Sequence, residues 1–444
     1  VITPPAGLQQ GPIPAGLRFL FLRHGALWSA PTAQHTPILR LTPTYTTVAA
    51  QWAVRPAETG RSAGNMVAYI DLQKGLVHLI RSDGQNDTVI QQPLLKASVQ
   101  PSTLWNTTTG ATILSSLTWS NDGSMLAFVA DPTGSAQPGL SIYSMSSNTL
   151  HTVALPSTGT VSHLVWSPDS IRIAFTVTEN GNSAVLDYNT QTQDVLTLQS
   201  GISTQTNAGD TVLALKWGPD VNAPALTWST GVTGNVHNIW LQRVGIEGNP
   251  KPTLLASGNY TQAYFNPAGH NDTGSWLVIA NNAGVAGDLI SVDMVGFVEK
   301  LTSGKQASSA QWSPDGKAVD YFGPLSHGTG MLHVLNINTG TDTQVAPGVA
   351  TEPAPLWSTD SQRLVYSTGT HAGIFDLNTP GVLQTLKPQG KVAAFSWSTT
   401  SPSQIILALA DGQKGLYLID SQHGTSLHLN QEMLQGPLLW THIP

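Results

Sequence analysis

Side chains able to do chemistry are present in this sequence, but they are dispersed. Thirteen histidines are spread over 444 residues, and cysteine is absent. No two histidines have the i, i+4 spacing with which a helix offers two imidazoles to zinc. The lack of cysteine excludes disulfides, thiolate zinc sites and cysteine nucleophiles. A phosphate-cradling glycine loop and a Gly-x-Gly-x-x-Gly dinucleotide fingerprint are also missing. We therefore predict no catalytic residue, no cofactor-binding residue and no cofactor.

The nearest approach to a metal site is the run Asp83-Gly84-Gln85-Asn86-Asp87. It has the oxygen donors of a calcium loop but lacks the bidentate Glu and the ligand spacing of an EF-hand, so a hairpin turn is predicted there. Histidines far apart in sequence can converge in a closed fold, which keeps a histidine metal site as an alternative, although no metal residue is predicted. The histidines concerned include His24, His35, His78, His163, His237, His270, His327 and His371.

Two short motifs resemble parts of enzyme families without the surroundings that those families need. Arg23-His24-Gly25 follows an apolar segment and resembles the histidine phosphatase motif, in which His accepts the phosphate and Arg binds it. That fold requires helices on a parallel sheet, and the sequence has neither helical periodicity nor an arginine cluster. Ser120-Asn121-Asp122-Gly123 has one residue fewer between Asp and Gly than the sialidase Asp box. Both motifs are predicted to be turns.

The charge content restricts the classes of partner. Only 10% of the residues are charged and the net charge is −7, whereas soluble domains average roughly 25% charged residues. The 19 basic residues are scattered, so no stripe exists to neutralise phosphates or to bind an anionic membrane. We predict no nucleic-acid partner. The polar, charge-poor and cysteine-free composition favours an extracytoplasmic bacterial protein.

The N-terminal segment is predicted to be a spacer. Residues 1–16 contain Pro4, Pro5, Pro12 and Pro14, which favour an extended and semi-rigid chain. No apolar run approaches the roughly 18 residues needed to span a bilayer, so no membrane insertion by this segment is expected. Because the chain starts at Val1, we expect a signal peptide or membrane anchor upstream; an arbitrary boundary is the alternative. Residues 17–444 are predicted to be one domain.

A repeated unit dominates the sequence. Each copy has a short β-rich run ending in an aromatic residue, then a Ser/Pro/Asp/Gly turn and an apolar strand, as in residues 164–175 and 310–316. Successive aromatic anchors are 67, 47, 51, 48, 47, 45, 40 and 43 residues apart, a period typical of four-stranded propeller blades. The longest interval is expected to hold an insertion near residues 101–110. The anchors, interpreted as core wedges between blades, are Trp52, Trp119, Trp166, Trp217, Phe265, Trp312, Trp357, Trp397 and Trp440.

The turn chemistry indicates antiparallel strands. Pro presets φ for a type I turn, Asp caps it through its side chain, and the next residue takes a positive φ. The strands that follow, such as Ile173-Ala174-Phe175 and residues 405–407, are apolar on both faces. A strand of that kind is covered on both faces, as a central blade strand is.

The chain ends are predicted to share one blade. Residues 18–22, 26–29 and 38–41 supply a second, third and fourth strand, and residues 438–441 supply a missing innermost strand. Pairing them removes two open sheet edges and gives a single closed all-β propeller of nine blades. Eight blades is the alternative, if the region around Trp52 forms no blade of its own.

The run Trp312-Ser313-Pro314-Asp315-Gly316 resembles the repeat of TolB-like (WD40-like, PD40) propellers, and Trp166 to Asp169 matches it with Ser170 in place of Gly. The resemblance extends over almost the whole chain. It implies a β-propeller but no particular function, because such repeats occur in binding scaffolds, translocation partners and peptidase accessory domains. An extra N-terminal domain, as in TolB itself, is not seen.

We predict a non-enzymatic scaffold, monomeric, that binds a protein, peptide or glycan through its loops or axial channel. Low surface charge implies recognition by hydrogen bonding and stacking. The alternative is a propeller enzyme, a glycan lyase or hydrolase, with carboxylates and histidines gathered at one channel mouth.

Overall fold

The computed structural model of the chain describes residues 16–23, 26–31, 38–42, 47–55, 65–71, 76–91, 117–130, 139–156, 158–203, 212–218, 221–222, 224–232, 236–244, 251–258, 260–267, 275–280, 287–293, 295–379, 383–398, 401–430 and 435–443. These residues form 36 β-strands and, within those ranges, no helix. The strands make nine four-stranded antiparallel sheets, which we call sheets A to I in chain order. The predicted spacer, residues 1–16, lies outside the described residues except for Gly16.

The chain forms two compact units. The first comprises Val1–Ala154, Gly369–Ile374 and Thr385–Pro444, and the second Leu155–Thr368 and Phe375–Gln384.

The first unit holds sheets A, B, C and I. Sheet A contains β36 (Gln435–Ile443), β1 (Gly16–Arg23), β2 (Ala26–Pro31) and β3 (Leu39–Arg40). Sheet B contains β4 (Thr47–Val54), β5 (Met66–Asp71), β6 (Leu76–Arg81) and β7 (Thr88–Gln91). Sheet C contains β8 (Leu117–Trp119), β9 (Met125–Ala130), β10 (Gly139–Ser144) and β11 (Thr149–Thr152). Sheet I contains β32 (Val392–Trp397), β33 (Gln404–Leu409), β34 (Gly415–Asp420) and β35 (Thr425–Asn430).

The remaining sheets belong wholly or mainly to the second unit. Sheet D contains β12 (Thr160–Trp166), β13 (Arg172–Glu179), β14 (Asn182–Asn189) and β15 (Val195–Ser203). Sheet E contains β16 (Val212–Trp217), β17 (Ala225–Val232), β18 (Val236–Arg243) and β19 (Thr253–Gly258). Sheet F contains β20 (Tyr260–Phe265), β21 (Ser275–Ala280), β22 (Leu289–Asp293) and β23 (Val298–Lys300). Sheet G contains β24 (Ser309–Trp312), β25 (Ala318–Phe322), β26 (Thr329–Asn336) and β27 (Asp342–Ala350). Sheet H contains β28 (Leu356–Trp357), β29 (Arg363–Ser367), β30 (Ala372–Asp376) and β31 (Leu383–Thr385).

Neighbouring sheets within each unit touch through their first strands. In the first unit β36 contacts β32 and β4, and β4 contacts β8. In the second unit β16 contacts β12 and β20, and β20 contacts β24. Apolar clusters fill the spaces between adjacent sheets, for example between B and C around Phe128 and between D and E around Trp228. This stacking explains why the middle strands are apolar on both faces.

The two ends of the chain pair in sheet A, as predicted. Strand β1 pairs antiparallel with β36, with Phe19 opposite Trp440 and Leu20 opposite Leu439. On its other side β1 pairs with β2, which pairs with β3. The composite sheet is therefore confirmed. The residues around Trp52 form a strand of sheet B, which favours nine blades over eight. Closure of all nine sheets into one ring stays a prediction, and the expected insertion near residues 101–110 lies outside the described residues.

The repeated turn has the predicted chemistry, with one addition. The Ser hydroxyl, which is buried, donates to the Asp carboxylate two residues later, at 2.6 Å in Ser120–Asp122 and 2.7 Å in Ser313–Asp315. The same hydroxyl accepts the backbone N–H five residues on, closing the hairpin. The residue after Asp has a positive φ, and Ser170 takes this conformation (φ 61°) where the other clear copy has Gly316. The Ser therefore matters as much as the Pro and Asp.

Candidate functional site

The predicted aromatic anchors all lie on the first strands of their sheets. Five end such a strand and are 4 to 7% exposed: Trp119, Trp166, Trp312, Trp357 and Trp397. Trp217 ends β16 and is partly buried between sheets D and E. Trp52, Phe265 and Trp440 lie on β4, β20 and β36, and their side chains are outside the described part of the structure.

The anchors in sheets C, G and H pack against the preceding sheet. Trp119 belongs to the cluster that includes Leu79 of sheet B, and Trp312 to the one that includes Leu289 of sheet F. Burial between sheets leaves little of these rings for stacking on a ligand. Their position supports a packing role.

The ionisable side chains of sheet B form a cluster within that sheet. The rings of Tyr69 and His78, which face each other on β5 and β6, stack with centroids 4.7 Å apart. Asp87 accepts from the Tyr69 hydroxyl at 3.0 Å and lies 2.9 Å from His78 Nδ1. The Asp83–Asp87 run is a hairpin turn, as predicted, and Asp83 Oδ1 accepts the N–H of Gln85 at 3.0 Å.

Sheet G repeats the same cluster and adds a cation. Tyr321 stacks on His333 at 4.7 Å, and Asp342 accepts from the Tyr321 hydroxyl at 2.7 Å. Asp342 also lies 3.1 Å from His333 Nδ1 and 2.8 Å from Lys305 Nζ. Burial alone would raise the pKa of Asp342, but hydrogen bonds from Lys305, Tyr321 and His333 hold it below its usual value. The sequence analysis missed both clusters.

Sheet D carries two further polar networks. Arg172 donates to the fully buried Asp187, whose pKa burial raises to about 6 against the opposing effect of Arg172. His163 sits in a bulge of β12 with φ 55°, and its Nδ1 lies 3.1 Å from Ser162 Oγ and 3.0 Å from Thr176 Oγ1. Burial lowers the pKa of His163. Both networks join neighbouring strands.

The described residues contain no group of three or more His, Asp or Glu side chains placed to hold a metal ion. Among the histidines considered above, His327 and His371 lie beside Ser326 and Thr370 on exposed turns. His24, His35 and His270 lie outside the described residues, as do the side chains of Arg23 and His237.

The sequence contains one Gly-x-Ser-x-Gly run, residues 60–64, which is the pattern of the nucleophile turn of serine hydrolases. This run lies outside the described residues. A hydrolase elbow joins a strand to a helix, whereas this run joins β4 to β5, which are antiparallel neighbours.

One hairpin differs in surface from its counterparts. We call residues 293 and 295–298, between β22 and β23, the apolar hairpin. In it Val295 is 83%, Phe297 66% and Val298 46% exposed. Aromatic residues are enriched in binding interfaces, and clustered exposed apolar residues mark interaction sites. The apolar hairpin is therefore our candidate functional site.

The apolar hairpin is held in one conformation by hydrogen bonds. Asp293 Oδ1 accepts the N–H groups of Val295 at 2.9 Å and Phe297 at 2.7 Å. The Asp293 N–H donates to the Phe297 carbonyl at 3.0 Å, and Gly296 N–H to the Asp293 carbonyl at 3.1 Å. Gly296 has φ 88°, and a Cβ there would meet the Leu255 carbonyl at 2.8 Å. The tip thus rests on β19, beside the 47% exposed Leu254.

Corresponding hairpins of sheets G and I also have an Asp or Asn cap, but their turns are one residue longer and carry polar residues. In sheet G the Asn336 side chain accepts the N–H groups of Asn338 at 3.0 Å and Thr339 at 3.1 Å. In sheet I Asp420 accepts the N–H of Gln422 at 2.9 Å. The residues exposed at these tips are polar. The side-chain cap is therefore shared by these three hairpins, whereas the exposed apolar tip is found in sheet F and not in sheets G and I.

Comparison with known proteins identifies the fold and leaves the family undefined. No model of a known protein family matches the sequence. The soluble pyridine nucleotide transhydrogenases of Pseudomonas aeruginosa strains LESB58 and UCBPP-PA14 are each 27% identical over 141 residues, 31% of this chain. The chain spans only 28% of the length of these curated relatives.

Solved structures resemble the chain over most of its length. A eukaryotic initiation factor superposes with a TM-score of 0.63 over 96% of this chain and 98% of its own, at 11% identity. Dipeptidyl peptidase 4 of Porphyromonas gingivalis gives 0.53 over 88% and 62%, also at 11% identity. TolB from Acinetobacter baumannii reaches only 0.35 at 16% identity, over 86% of this chain and 81% of its own, too low to indicate a shared arrangement. Together with the nine four-stranded sheets, the first likeness gives the fold class as all-β, of the propeller type.

Within the described part of the chain, no helix is long and apolar enough to cross a membrane.

Proposed function

We propose that this chain is a non-enzymatic scaffold that binds a partner protein, and that the apolar hairpin is where the partner docks. The observation that carries the proposal is the rigid, exposed tip with Val295 and Phe297, in a position where corresponding tips are polar.

Burial of this tip supplies binding energy at low entropic cost. Covering a Val or Phe side chain completely contributes roughly 1.5–3 kcal/mol each. Because the Asp293 carboxylate already fixes the turn, little conformational freedom is lost on binding, which is the advantage of preorganisation.

The partner that fits this surface presents an uncharged, aliphatic or aromatic pocket. The Asp293 carboxylate is engaged by backbone N–H groups, and Lys300 Nζ pairs with Asp288 at 2.8 Å. Two of the charges beside the tip are thus already satisfied internally. Binding should therefore depend weakly on salt, because long-range charge attraction contributes little.

The charge-poor, cysteine-free composition supports an extracytoplasmic location, which we include in the proposal, together with a monomeric chain. Transhydrogenase activity is not proposed, because the sequence lacks the dinucleotide fingerprint. The enzyme alternative predicted carboxylates and histidines at one mouth; the ionisable pairs described above lie instead within separate sheets.

The experiment compares three immobilised chains for capture of proteins from an extract of the source organism: wild type, Phe297→Asp and Asn338→Asp. The last changes the polar tip of sheet G and serves as the matched control. We expect a protein retained by wild type and by Asn338→Asp but not by Phe297→Asp. That protein is then purified, and its Kd measured by calorimetry at low and high salt is expected to change little. Equal capture by all three chains, or a steep loss of affinity with salt, would refute the proposal.

A second copy of this chain is the other occupant to test. Sedimentation of wild type should show a monomer; a dimer that Phe297→Asp dissociates would replace the partner protein with a second copy.

A further inference from the structure

A carboxyl group lies at the joint between sheets G and H, and no Lys, Arg or His of the described ranges forms an ion pair with it. Asp320 is on β25, opposite Gln311 on β24 and Val334 on β26, and is 3% exposed. Its side chain shares a face with Ala318 and Phe322, which belong to the apolar cluster between the two sheets.

Two hydrogen bonds between described residues cross the joint. At its edge the Asp315 backbone N–H donates to Ser361 Oγ at 2.9 Å, and the second bond, within the joint, engages the buried acid. Trp357, on the first strand of sheet H, donates its Nε1–H to Asp320 Oδ1 at 2.5 Å. Burial raises the pKa of Asp320 to about 8, with the Trp357 hydrogen bond opposing that rise. An ionised carboxylate in such a place costs several kcal/mol, so the group is held as a neutral acid at pH 7.

The surroundings contain little that titrates. The strands around this face contribute Gln311, Val334, Leu364 and Tyr366. Tyr366 is the titratable member of that set, and burial raises the pKa of its phenol, so it too is neutral. The charged Tyr321–His333–Asp342 cluster lies on the opposite face of β25, because successive residues of a strand alternate.

We propose that the Asp320–Trp357 contact is a proton-dependent latch. While protonated, the acid is accommodated in the apolar joint between sheets G and H. When it loses its proton in alkaline surroundings, the bond from Trp357 itself becomes stronger, but the unpaired buried charge destabilises the packing of sheet H on sheet G.

The sign of the pH dependence follows from linkage. A raised pKa in the folded protein means that the folded state binds more protons than the unfolded state between about pH 4 and pH 8, so stability falls as pH rises through that window and levels off above it. Compared with a variant lacking the group, the unfolding equilibrium constant should rise by up to about tenfold per pH unit between pH 5 and pH 7.

The test compares wild type with Asp320→Asn, whose amide oxygen can still accept from Trp357 but which does not titrate. Urea unfolding at pH 5, 6, 7 and 9 should show the ratio of the two unfolding constants growing with pH. Hydrogen exchange of the Trp357 indole, assigned with Trp357→Phe, should accelerate above pH 8 more steeply in wild type than in Asp320→Asn, which shows only the base-catalysed rise common to both chains. Parallel pH profiles would overturn the proposal.

A measurement on wild type alone covers the case in which Asp320→Asn does not fold. Infrared spectroscopy of protein labelled with 13C in its Asp carboxyls should show a protonated carboxylic acid at pH 7 that disappears near pH 8. An absence of that band at pH 7 would refute the latch.

Discussion

The two Tyr–His–Asp clusters, one in sheet B and one in sheet G, have the same geometry but differ in the charges around the carboxylate. In both, the Tyr and His rings stack with centroids 4.7 Å apart and planes 18° apart. In both, one carboxylate receives the phenol on one oxygen and lies beside His Nδ1 on the other. Their Tyr rings are almost completely buried. The same geometry therefore occurs in two separate blades.

The difference is the ammonium group. Lys305 reaches Asp342 at 2.8 Å, and its backbone N–H donates to Asp288 at 3.2 Å, so the sheet G cluster is tied to the strand pair β22–β23 of sheet F. Among the described residues, the partners of the Asp87 carboxylate are the Tyr69 hydroxyl and His78 Nδ1. The comparison shows how one repeat position becomes a link between sheets when a neighbouring loop supplies a charge.

Removing the carboxylate from each cluster in turn should change the stability of the protein more than any other substitution in these clusters. Asp342→Ala leaves three donors without an acceptor, whereas Asp87→Ala leaves two. Because each stranded buried donor costs at least about 1 kcal/mol and the partly exposed lysine pair adds up to about 1 kcal/mol, we expect losses of about 3 kcal/mol for Asp342→Ala and about 2 kcal/mol for Asp87→Ala. Urea unfolding at pH 7 measures both. A loss for Asp87→Ala as large as that for Asp342→Ala would show that the lysine contributes nothing.

Acid titration isolates the charge of Asp342. Its pKa is lowered in the folded protein, so the stability it confers is complete above its ordinary value of about 3.8 and is lost as pH falls through the lower folded value. Wild type should exceed Asp342→Asn by about 1–2 kcal/mol at pH 6, and the gap should close toward pH 2. The stability of both chains is followed by thermal unfolding across that range. A gap that is unchanged at pH 2 would contradict the assignment.

The fold was predictable because its signals are local and repeated. The Trp-Ser-Pro-Asp-Gly turn at Trp312 needs only a few consecutive residues to form its hydrogen bonds. Nine aromatic anchors, most of them followed by a form of this turn, then define the blades. Pairing of the chain ends was predictable from complementary gaps, since an unfilled strand position at one end matched a spare strand at the other.

The polar clusters were not predictable, because their members come from different strands. Tyr69, His78 and Asp87 are each nine residues apart, whereas Tyr321 and His333 are twelve apart. The hairpin between the Tyr and the His therefore differs in length between the two blades, although strand pairing places the Tyr opposite the His in both. The pair Tyr417–His428 in sheet I stacks at 4.6 Å, but the Tyr417 hydroxyl donates to the Gln413 carbonyl instead of to a carboxylate. This pair joins the third and fourth strands of its sheet, whereas the other two pairs join the second and third, so a Tyr–His stack alone does not mark the cluster position.

The candidate site was also missed, although its signal was in the sequence. Val295-Gly296-Phe297-Val298 reads as part of an apolar strand, so its exposure became clear only once the Asp293 turn was seen. In the sheet G hairpin the residue bonded in the same way to the capping residue is Thr341, which is polar, and a hairpin tip faces solvent whatever its composition. That comparison would have shown the apolar tip to be unusual.

The hydrogen bond from the Tyr hydroxyl to the carboxylate is common to both clusters, and it can be removed by replacing each Tyr with Phe. Tyr321→Phe removes a 2.7 Å hydrogen bond and Tyr69→Phe a 3.0 Å one, each to a carboxylate, and both rings keep their stacking. Hydrogen bonds to charged groups contribute about 1.5–3 kcal/mol at most and often nearer 1 kcal/mol, so we expect a loss of about 1 kcal/mol for Tyr321→Phe and slightly less for Tyr69→Phe. Thermal unfolding of both variants beside wild type gives the values. The result that would break the comparison is a loss in one cluster and none in the other.

Replacing Lys305 by Met should leave the sheet G cluster with the same three side chains as the sheet B cluster. We expect this substitution to change the free energy of unfolding less than any of the others. The ammonium is 39% exposed, so water and salt screen its attraction to Asp342, and pairs of this kind contribute about 0–1 kcal/mol. The informative quantity is the coupling in a double-mutant cycle of Lys305→Met and Asp342→Ala. In the Lys305→Met background, the cost of Asp342→Ala should fall to that of Asp87→Ala, because the same two donors, a phenol and an imidazole, then remain. If the cost does not fall, the two clusters differ for a reason other than the lysine, and the link between sheets F and G rests on the backbone contact with Asp288 instead.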